Sequence, residues 1–151
     1  MHTTVRRFIK TAIAFLAVGL ALGLVIMVQR ELLGRWPHPY LVSAHTHALF
    51  SGFVMFLILG VALWLFPRPE KDDRRYRPEL ITAAYWILLA GSVLRVGGEV
   101  ARASSAAAWL AWVVMTGGVL QVLGFGLYFW TMWSRIRPVG SQLREFRGER
   151  F

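Results

Sequence analysis

Four long apolar runs dominate the sequence and leave few folds open to it. They lie at about residues 8–28, 40–66, 80–101 and 105–133. Each run reaches the roughly 20 residues that an α-helix needs to cross the hydrocarbon core of a bilayer. Hydrophobic residues make up 56 % of the 151-residue chain, which leaves too little polar material to coat a soluble fold. The sequence therefore predicts an all-α protein, an integral membrane four-helix bundle at 1–137 with a basic tail at 138–151.

The first run follows basic residues, as the apolar part of a signal peptide does. It is longer than the usual apolar region of about 7 to 15 residues in such a peptide. The residues that follow it, Gln29, Arg30 and Glu31, do not provide the small side chains of a cleavage site. We therefore expect the run to be retained as the first spanning helix.

Basic residues are distributed unevenly along the chain. Of the 17 Lys and Arg, thirteen lie near the N-terminus, between the second and third runs, or in the tail. The other four are Arg30, Arg35, Arg95 and Arg102. Because basic residues stay preferentially on the cytoplasmic side, both termini are predicted to be cytoplasmic. The predicted location of the protein is the cell membrane, most simply a bacterial inner membrane.

The formal net charge of +9 would suggest a nucleic-acid partner if the protein were soluble. Here the charges lie between apolar runs, where they orient helices and favour contact with anionic lipid. We therefore expect no nucleic-acid partner. The absence of cysteine excludes disulfides, iron–sulfur clusters, thiolate haem ligation and covalent haem attachment. A cofactor would have to be held by His, Met, carboxylate or burial.

Ionisable side chains within the predicted spans are few, and each is a functional candidate because a membrane makes it costly. With a rise of 1.5 Å per residue, His45 lies about 7 Å, Arg95 about 9 Å and Glu99 about 3 Å below the outer ends of their helices. Arg95 and Glu99 are four residues apart and can pair along one helix face. The structural alternative to a functional role is that these two side chains only neutralise each other. Gln121 is the polar candidate of the fourth span.

His45 and His47 are two residues apart and so point about 200° apart around an α-helix. They cannot bind one metal ion together without unwinding the helix. The face around His45 contains Ala48 and Gly52, which leave room for a broad, flat group beside the imidazole. His45 is therefore the better ligand candidate, and His47 is an alternative or a second site.

The segment 45–56, HTHALFSGFVMF, and its continuation 63–68, LWLFPR, resemble the second helix of the catalytic subunit of haem-copper oxidases and nitric oxide reductases. The likeness is greatest to the C-type oxidases and the reductases. In that family the first histidine of the segment is an axial ligand of the low-spin haem near the outer face of the membrane. His45 matches it by position, which implies a haem site near the outer face.

The resemblance spans roughly 25 residues, whereas the family's subunit has about twelve spans. In the family, a late helix supplies the second axial ligand together with the ligands of the oxygen-reducing haem and its copper or iron. This chain has no counterpart of that helix. A complete oxidase or reductase site is therefore not expected. The segment 94–99, LRVGGE, looks more loosely like small membrane proteins related to oxidase subunits.

The favoured interpretation is a small b-type cytochrome for electron transfer or for binding nitric oxide or oxygen. Haem b would bind His45, Arg95 and also Arg30 would meet the propionates, and Gly52 with nearby aromatics would complete the pocket. The sixth ligand stays open between His45 of a second subunit, a methionine and none. The methionine candidates are Met27 and Met115.

One inward histidine in four helices makes a homo-oligomer attractive, because symmetry doubles the ligands. Gly19 and Gly23 form a small-xxx-small pair suited to a helix contact. A respiratory redox partner would complete the electron-transfer role.

Two alternatives lack a cofactor. One is a scaffold or assembly partner of a respiratory complex, and the other is a small four-helix transporter, which would normally need a central membrane carboxylate. A copper site shared between subunits through His45 and His47, with His38 joining, is a less favoured possibility.

Overall fold

The computed structural model describes residues 3–67, 73, 75–136 and 147–148. Within them the chain forms four long helices: α1 (Thr3–Leu32), α2 (Pro39–Leu65), α3 (Pro78–Ser104) and α4 (Trp109–Arg135). Each is long and apolar enough to cross a membrane, which confirms the predicted all-α class. The short connections 33–38 and 105–108 lie at the same end of the bundle, which we name the hairpin end. The predicted tail at 138–151 falls outside the described residues apart from 147 and 148.

Local chemistry sets the helix ends. Gly34, which has a φ of 60°, follows α1, and glycine adopts this left-handed conformation at little cost. Pro39 occupies the first turn of α2, where its missing N–H is not needed, and His38 Nδ1 accepts a bond from the Tyr40 N–H at 3.2 Å. The fourth helix begins four residues later than predicted, because Ser105 Oγ accepts a bond from the Ala107 N–H at 3.3 Å and holds a turn there.

The middle of α2 is wider than an α-helix. Residues Ala48–Met55 form a π-helical segment, in which the backbone hydrogen bonds join residues i and i+5. Such segments are rare in proteins, and those that occur are often found at functional sites. The segment starts directly after His47. The two histidines therefore keep α-helical geometry, while the positions of the residues after them are shifted around the axis.

An aromatic cluster joins all four helices at the end away from the hairpins. It consists of Phe8, Phe56, Tyr85 and Tyr128, and the Phe8 ring lies 5.1 Å from Tyr85, 5.6 Å from Phe56 and 5.8 Å from Tyr128 between centroids. The Tyr128 hydroxyl also donates to the Leu59 carbonyl at 2.6 Å. The cluster ties the bundle together far from the histidines.

Glycines line the contact between α3 and α4. Gly91 and Gly98 of α3 and Gly117 and Gly124 of α4 are each seven residues apart and face the partner helix. A Cβ added to Gly117 would lie 2.6 Å from the backbone nitrogen of Arg95. Small residues allow helices to approach this closely, so the seam fixes the position of Arg95 against α4.

Arg135 closes the end of α2 from the last turn of α4. Its guanidinium donates to the carbonyls of Pro67 at 2.8 Å, Phe66 at 2.9 Å and Leu63 at 3.1 Å. The carbonyls in the last turn of a helix have no partner within the helix. Arg135, only 5 % exposed, supplies partners for them and links α4 to α2.

Candidate functional site

His45 packs against α1 at a pair of glycines. Its Nδ1 lies 2.8 Å from the carbonyl oxygen of Gly19, and a Cβ added to Gly23 would lie 2.8 Å from its Cε1. Gly19 and Gly23 are four residues apart and lie on the same face of α1. Because neither has a side chain, the Gly19 carbonyl on that face is open to the imidazole. The small-xxx-small pair therefore makes a contact within the chain, between α1 and α2.

The hydrogen bond fixes the protonation pattern of the His45 ring. A carbonyl oxygen can only accept, so Nδ1 must carry the proton, and in neutral imidazole Nε2 then holds the lone pair. No group among the described residues forms a hydrogen bond with that Nε2. His45 is partly exposed, so the lone pair is available to a ligand.

The space beside Gly52 is filled by another side chain. A Cβ at this position would collide with Phe15 of α1, and Phe15 itself is largely buried in a cluster with Ala44, Ala48 and Val96. In this structure Gly52 therefore serves the packing of α1 on α2. A flat group at His45 would have to approach from another side of the imidazole.

His47 turns to the opposite side of α2 and meets Glu99 of α3. Its Nδ1 lies 3.0 Å from Glu99 Oε2, while the Ser43 hydroxyl donates to Glu99 Oε1 at 2.9 Å. Arg95 Nε lies 3.5 Å from the same Oε1, so the pair predicted from the spacing of four is present. Glu99 is only 2 % exposed, and these three side chains compensate its burial. We name these four residues the Glu99 cluster.

Arg95 also lines a groove on α4. The groove has a volume of about 430 Å³ and is otherwise apolar, with Met115, Gly118, Val119, Val122 and Leu123 among its walls. A Cβ added to Gly118 would lie 2.8 Å from Arg95 Nη1, so the guanidinium lies directly on the glycine. The Arg95 side chain therefore contacts α4, whereas the His45 side chain contacts α1.

The remaining candidates lie nearer the hairpin end. Arg30 is exposed, forms an ion pair with Glu31 at 3.6 Å and lies 5.4 Å from the centroid of the Trp36 ring. Met27 lies on α1 one turn beyond Gly23, with 54 % of its surface exposed. His38 caps α2 through its ring nitrogen, which is a structural role.

The two histidines proposed for copper diverge. His45 contacts α1 and His47 contacts α3. Within the described part of the chain, no three His, Asp or Glu side chains form a group that could hold a metal ion. Two copies of the chain would have to contribute ligands to any shared copper site.

Sequence reasoning missed Ser43 and Gly118. Ser43 had a usable signal, since it precedes His47 by four residues and so lies on the same helix face. Gly118 had none, because only the packing of α3 on α4 places it under the guanidinium. Gln121, a candidate from its position in the fourth span, donates to Ser92 Oγ at 3.1 Å in a buried pair. That bond satisfies the amide within the helix contact.

Comparison with known proteins gives no matching family model, curated relative or solved structure.

Proposed function

We propose that this chain is a membrane-embedded b-type cytochrome that binds haem b through His45. The observation that carries the proposal is the bond from His45 Nδ1–H to the Gly19 carbonyl, which leaves Nε2 as an oriented lone pair. Metal-binding histidines almost always donate their other N–H to a carbonyl or carboxylate, because this fixes the tautomer and raises the basicity of the ligand. Haem bound here would supply one-electron redox chemistry or, with an open sixth position, binding of nitric oxide or oxygen.

The packing around Gly52 favours a haem held at the surface of one protomer rather than inside it. Phe15 occupies the interior side, so the partly exposed Nε2 edge of His45 is the side left for the macrocycle. A second copy of the chain would cover such a haem, which supports a homo-oligomer. The partner chain would then exclude water and lipid from the iron.

Met27 is the favoured candidate for a sixth ligand. It continues the stripe of Gly19 and Gly23 by one turn of α1, and its thioether is accessible. Met115 lies on α4 in the groove of Arg95. His45 of a second copy and an open position are the other outcomes that a spectrum can distinguish.

Arg30 is favoured over Arg95 as the partner of the propionates. It lies on α1, the helix that His45 contacts, and its guanidinium is exposed. Arg95 is paired with Glu99 and lies on the α4 side. In this proposal Glu99 is a counter-ion that holds α2 to α3 and has no contact with haem.

The four helices are proposed to cross a bacterial inner membrane with the hairpin end outside. The support is the basic bias towards the other end. This orientation puts His45 in the outer half of the membrane, where an outside redox partner or a gas could reach the haem. We do not propose catalytic turnover, because the resemblance to the oxidases covers only the segment of the first haem ligand.

The test is an absorption spectrum and a pyridine haemochrome assay on detergent-purified protein from haem-replete cells. We expect a Soret band that is lost in His45→Ala and retained in the matched variant His47→Ala, which removes the histidine facing α3. A colourless wild-type preparation would refute the cytochrome proposal and favour the scaffold. Loss of the band in His47→Ala alone would move the ligand to the Glu99 cluster.

The scaffold is the second candidate, and the Glu99 cluster favours it. Ser43, His47 and Arg95 satisfy the carboxylate within the chain, as expected of a purely structural polar contact. The same contacts argue against the transporter hypothesis, because the carboxylate of a transporter must be able to exchange its protein partners for the substrate.

A further inference from the structure

We propose that the groove on α4 binds the ring of a membrane quinone, with the Arg95 guanidinium donating hydrogen bonds to a ring carbonyl. The proposal rests on the proposed membrane insertion but needs no haem. It concerns the groove defined by Arg95, Met115, Gly118, Val119, Val122 and Leu123. At about 430 Å³, its volume is in the range of small-molecule sites.

The depth of the guanidinium selects against a phospholipid headgroup. Arg95 lies nine residues before the end of α3, and Gly118 lies nine residues after the start of α4, which puts both about 13 Å from the hairpin end at 1.5 Å per residue. The Cα–Cβ bond of Arg95 tilts towards the N-terminus of α3, away from the hairpin end. Its Nη1 therefore lies on Gly118, at hydrocarbon depth, instead of extending to the headgroups.

Charge balance selects a neutral acceptor over an acid. Glu99 already supplies a counter-charge to Arg95, with Oε1 at 3.5 Å from Nε. A second carboxylate in the groove would be repelled by this buried anion. Arg95 Nε is buried without a hydrogen-bond partner, and Nη1 and Nη2 form no hydrogen bond with any residue that the structure describes. They can still donate to an uncharged carbonyl oxygen, which is the polar group of a quinone.

The groove also has the form that a ring with an apolar tail requires. Gly118 leaves the room in which the guanidinium lies against α4, and the valine and leucine walls continue from there along the helix. Met115, Val122 and Leu123 are 62 %, 72 % and 58 % exposed, so the groove opens on the surface that would face lipid. An isoprenoid tail could therefore leave the groove directly into the bilayer.

The probe is decylubiquinone, titrated into the full-length protein in detergent while tryptophan fluorescence is recorded. Trp112 is 71 % exposed and lies on α4 one turn before Met115, so a bound quinone should quench it. We expect a saturable component above the linear quenching caused by partition into micelles. Gly118→Leu, whose side chain would displace the guanidinium from its place on α4, should weaken this component at least about tenfold.

The matched control is Gly97→Leu on α3, because a Cβ at Gly97 meets nothing within 4 Å and Gly97 is not among the residues that line the groove. Its saturable quenching should equal that of the wild type. Arg95→Lys is a second variant that keeps a counter-charge for Glu99 but shortens the donor, and it should also weaken binding. This variant decides the test if Gly118→Leu fails to fold, as judged by far-ultraviolet circular dichroism.

The quinone proposal is overturned if wild-type quenching has no saturable component, or if neither groove variant changes it. Displacement of decylubiquinone by an equal concentration of oleate would overturn it too, because the occupant would then be a fatty carboxylate. His45→Ala should keep the saturable quenching. Haem without quinone binding would refute this inference alone, and quinone binding in a colourless protein would refute the cytochrome alone.

Discussion

Gly23 lies directly against the imidazole of His45, with no side chain between the ring and the α1 backbone. The contact turns a glycine pair into a cradle that orients a histidine. A methyl group in Gly23→Ala would stand 2.8 Å from Cε1 and displace the ring from the Gly19 carbonyl. We expect haem content to fall and stability to drop by about 1–3 kcal/mol, the usual cost of overpacking. Haemochrome assay and thermal unfolding in detergent measure both.

Gly97→Ala is the control for that substitution. A side chain at Gly97 meets nothing within 4 Å, so alanine should leave haem content unchanged and raise helix stability by up to about 1 kcal/mol. Equal haem loss in the two variants would contradict the role of Gly23 in orienting the His45 imidazole.

Removing the charge of Glu99 tests the polar contact between α2 and α3. Glu99→Gln keeps the shape but leaves Arg95 without a counter-charge. Breaking a buried ion pair costs about 3–5 kcal/mol, and the partial exposure of Arg95 reduces our expectation to about 1–3 kcal/mol. Thermal unfolding measures the loss. The haem spectrum should not change, because His45 lies on the other side of α2.

The matched control is Glu79→Gln, which changes an exposed carboxylate in the first turn of the same helix. Surface substitutions of this kind stay within about 0.5 kcal/mol. If both variants unfold at the same temperature, the Glu99 cluster does not stabilise the bundle.

The glycine seam between α3 and α4 predicts a large effect from one methyl group. Gly117→Ala would put a Cβ 2.6 Å from the Arg95 backbone nitrogen, and backbone atoms cannot move aside as a flexible side chain can. We expect at least about 1–3 kcal/mol of destabilisation. Gly126→Ala, on the open side of α4, should unfold no earlier than the wild type.

Replacing Arg135 by lysine should loosen the end of α2. Lysine keeps the charge but lacks the planar fork that reaches three carbonyls. A hydrogen bond to a charged group is worth about 1.5–3 kcal/mol, and we expect Arg135→Lys to lose about one such bond. Faster amide hydrogen exchange at Leu63 and Phe66, with no change at Leu41, would show where the loss occurs. Uniform exchange along α2 would contradict the capping role.

The number and approximate limits of the helices followed from hydropathy, because length and apolarity alone decide which segments can span a membrane. The divergence of His45 and His47 followed from α-helical geometry, which holds up to residue 47. The filling of the space at Gly52 did not follow. It depends on Phe15 of another helix, and the pattern within α2 contains no information about that side chain.

The π-helical segment at Ala48–Met55 was also outside the reach of sequence patterns. Its residues are ordinary helix and membrane residues, so nothing in their pattern marks the wide turns, and the segment packs against α1 and α3. The groove of Arg95 was missed for the same reason. Sequence spacing identified the Arg95–Glu99 pair within one helix. The glycine under the Arg95 guanidinium, Gly118, lies on another helix more than twenty residues later in the chain.

The chain contains no cysteine, so a single introduced thiol can report the orientation of the helices. Ser105→Cys places it in the connection between α3 and α4, and Ser141→Cys places it in the basic tail. With the hairpin end outside, a membrane-impermeant maleimide should label the first variant in intact cells and the second only after the membrane is opened. The basic bias is the physical reason, since in the sequence thirteen of the 17 Lys and Arg lie near the N-terminus, between the second and third apolar runs, or beyond the fourth. The reverse labelling pattern would put His45 near the cytoplasmic face, and an outside redox partner would then be unable to reach it.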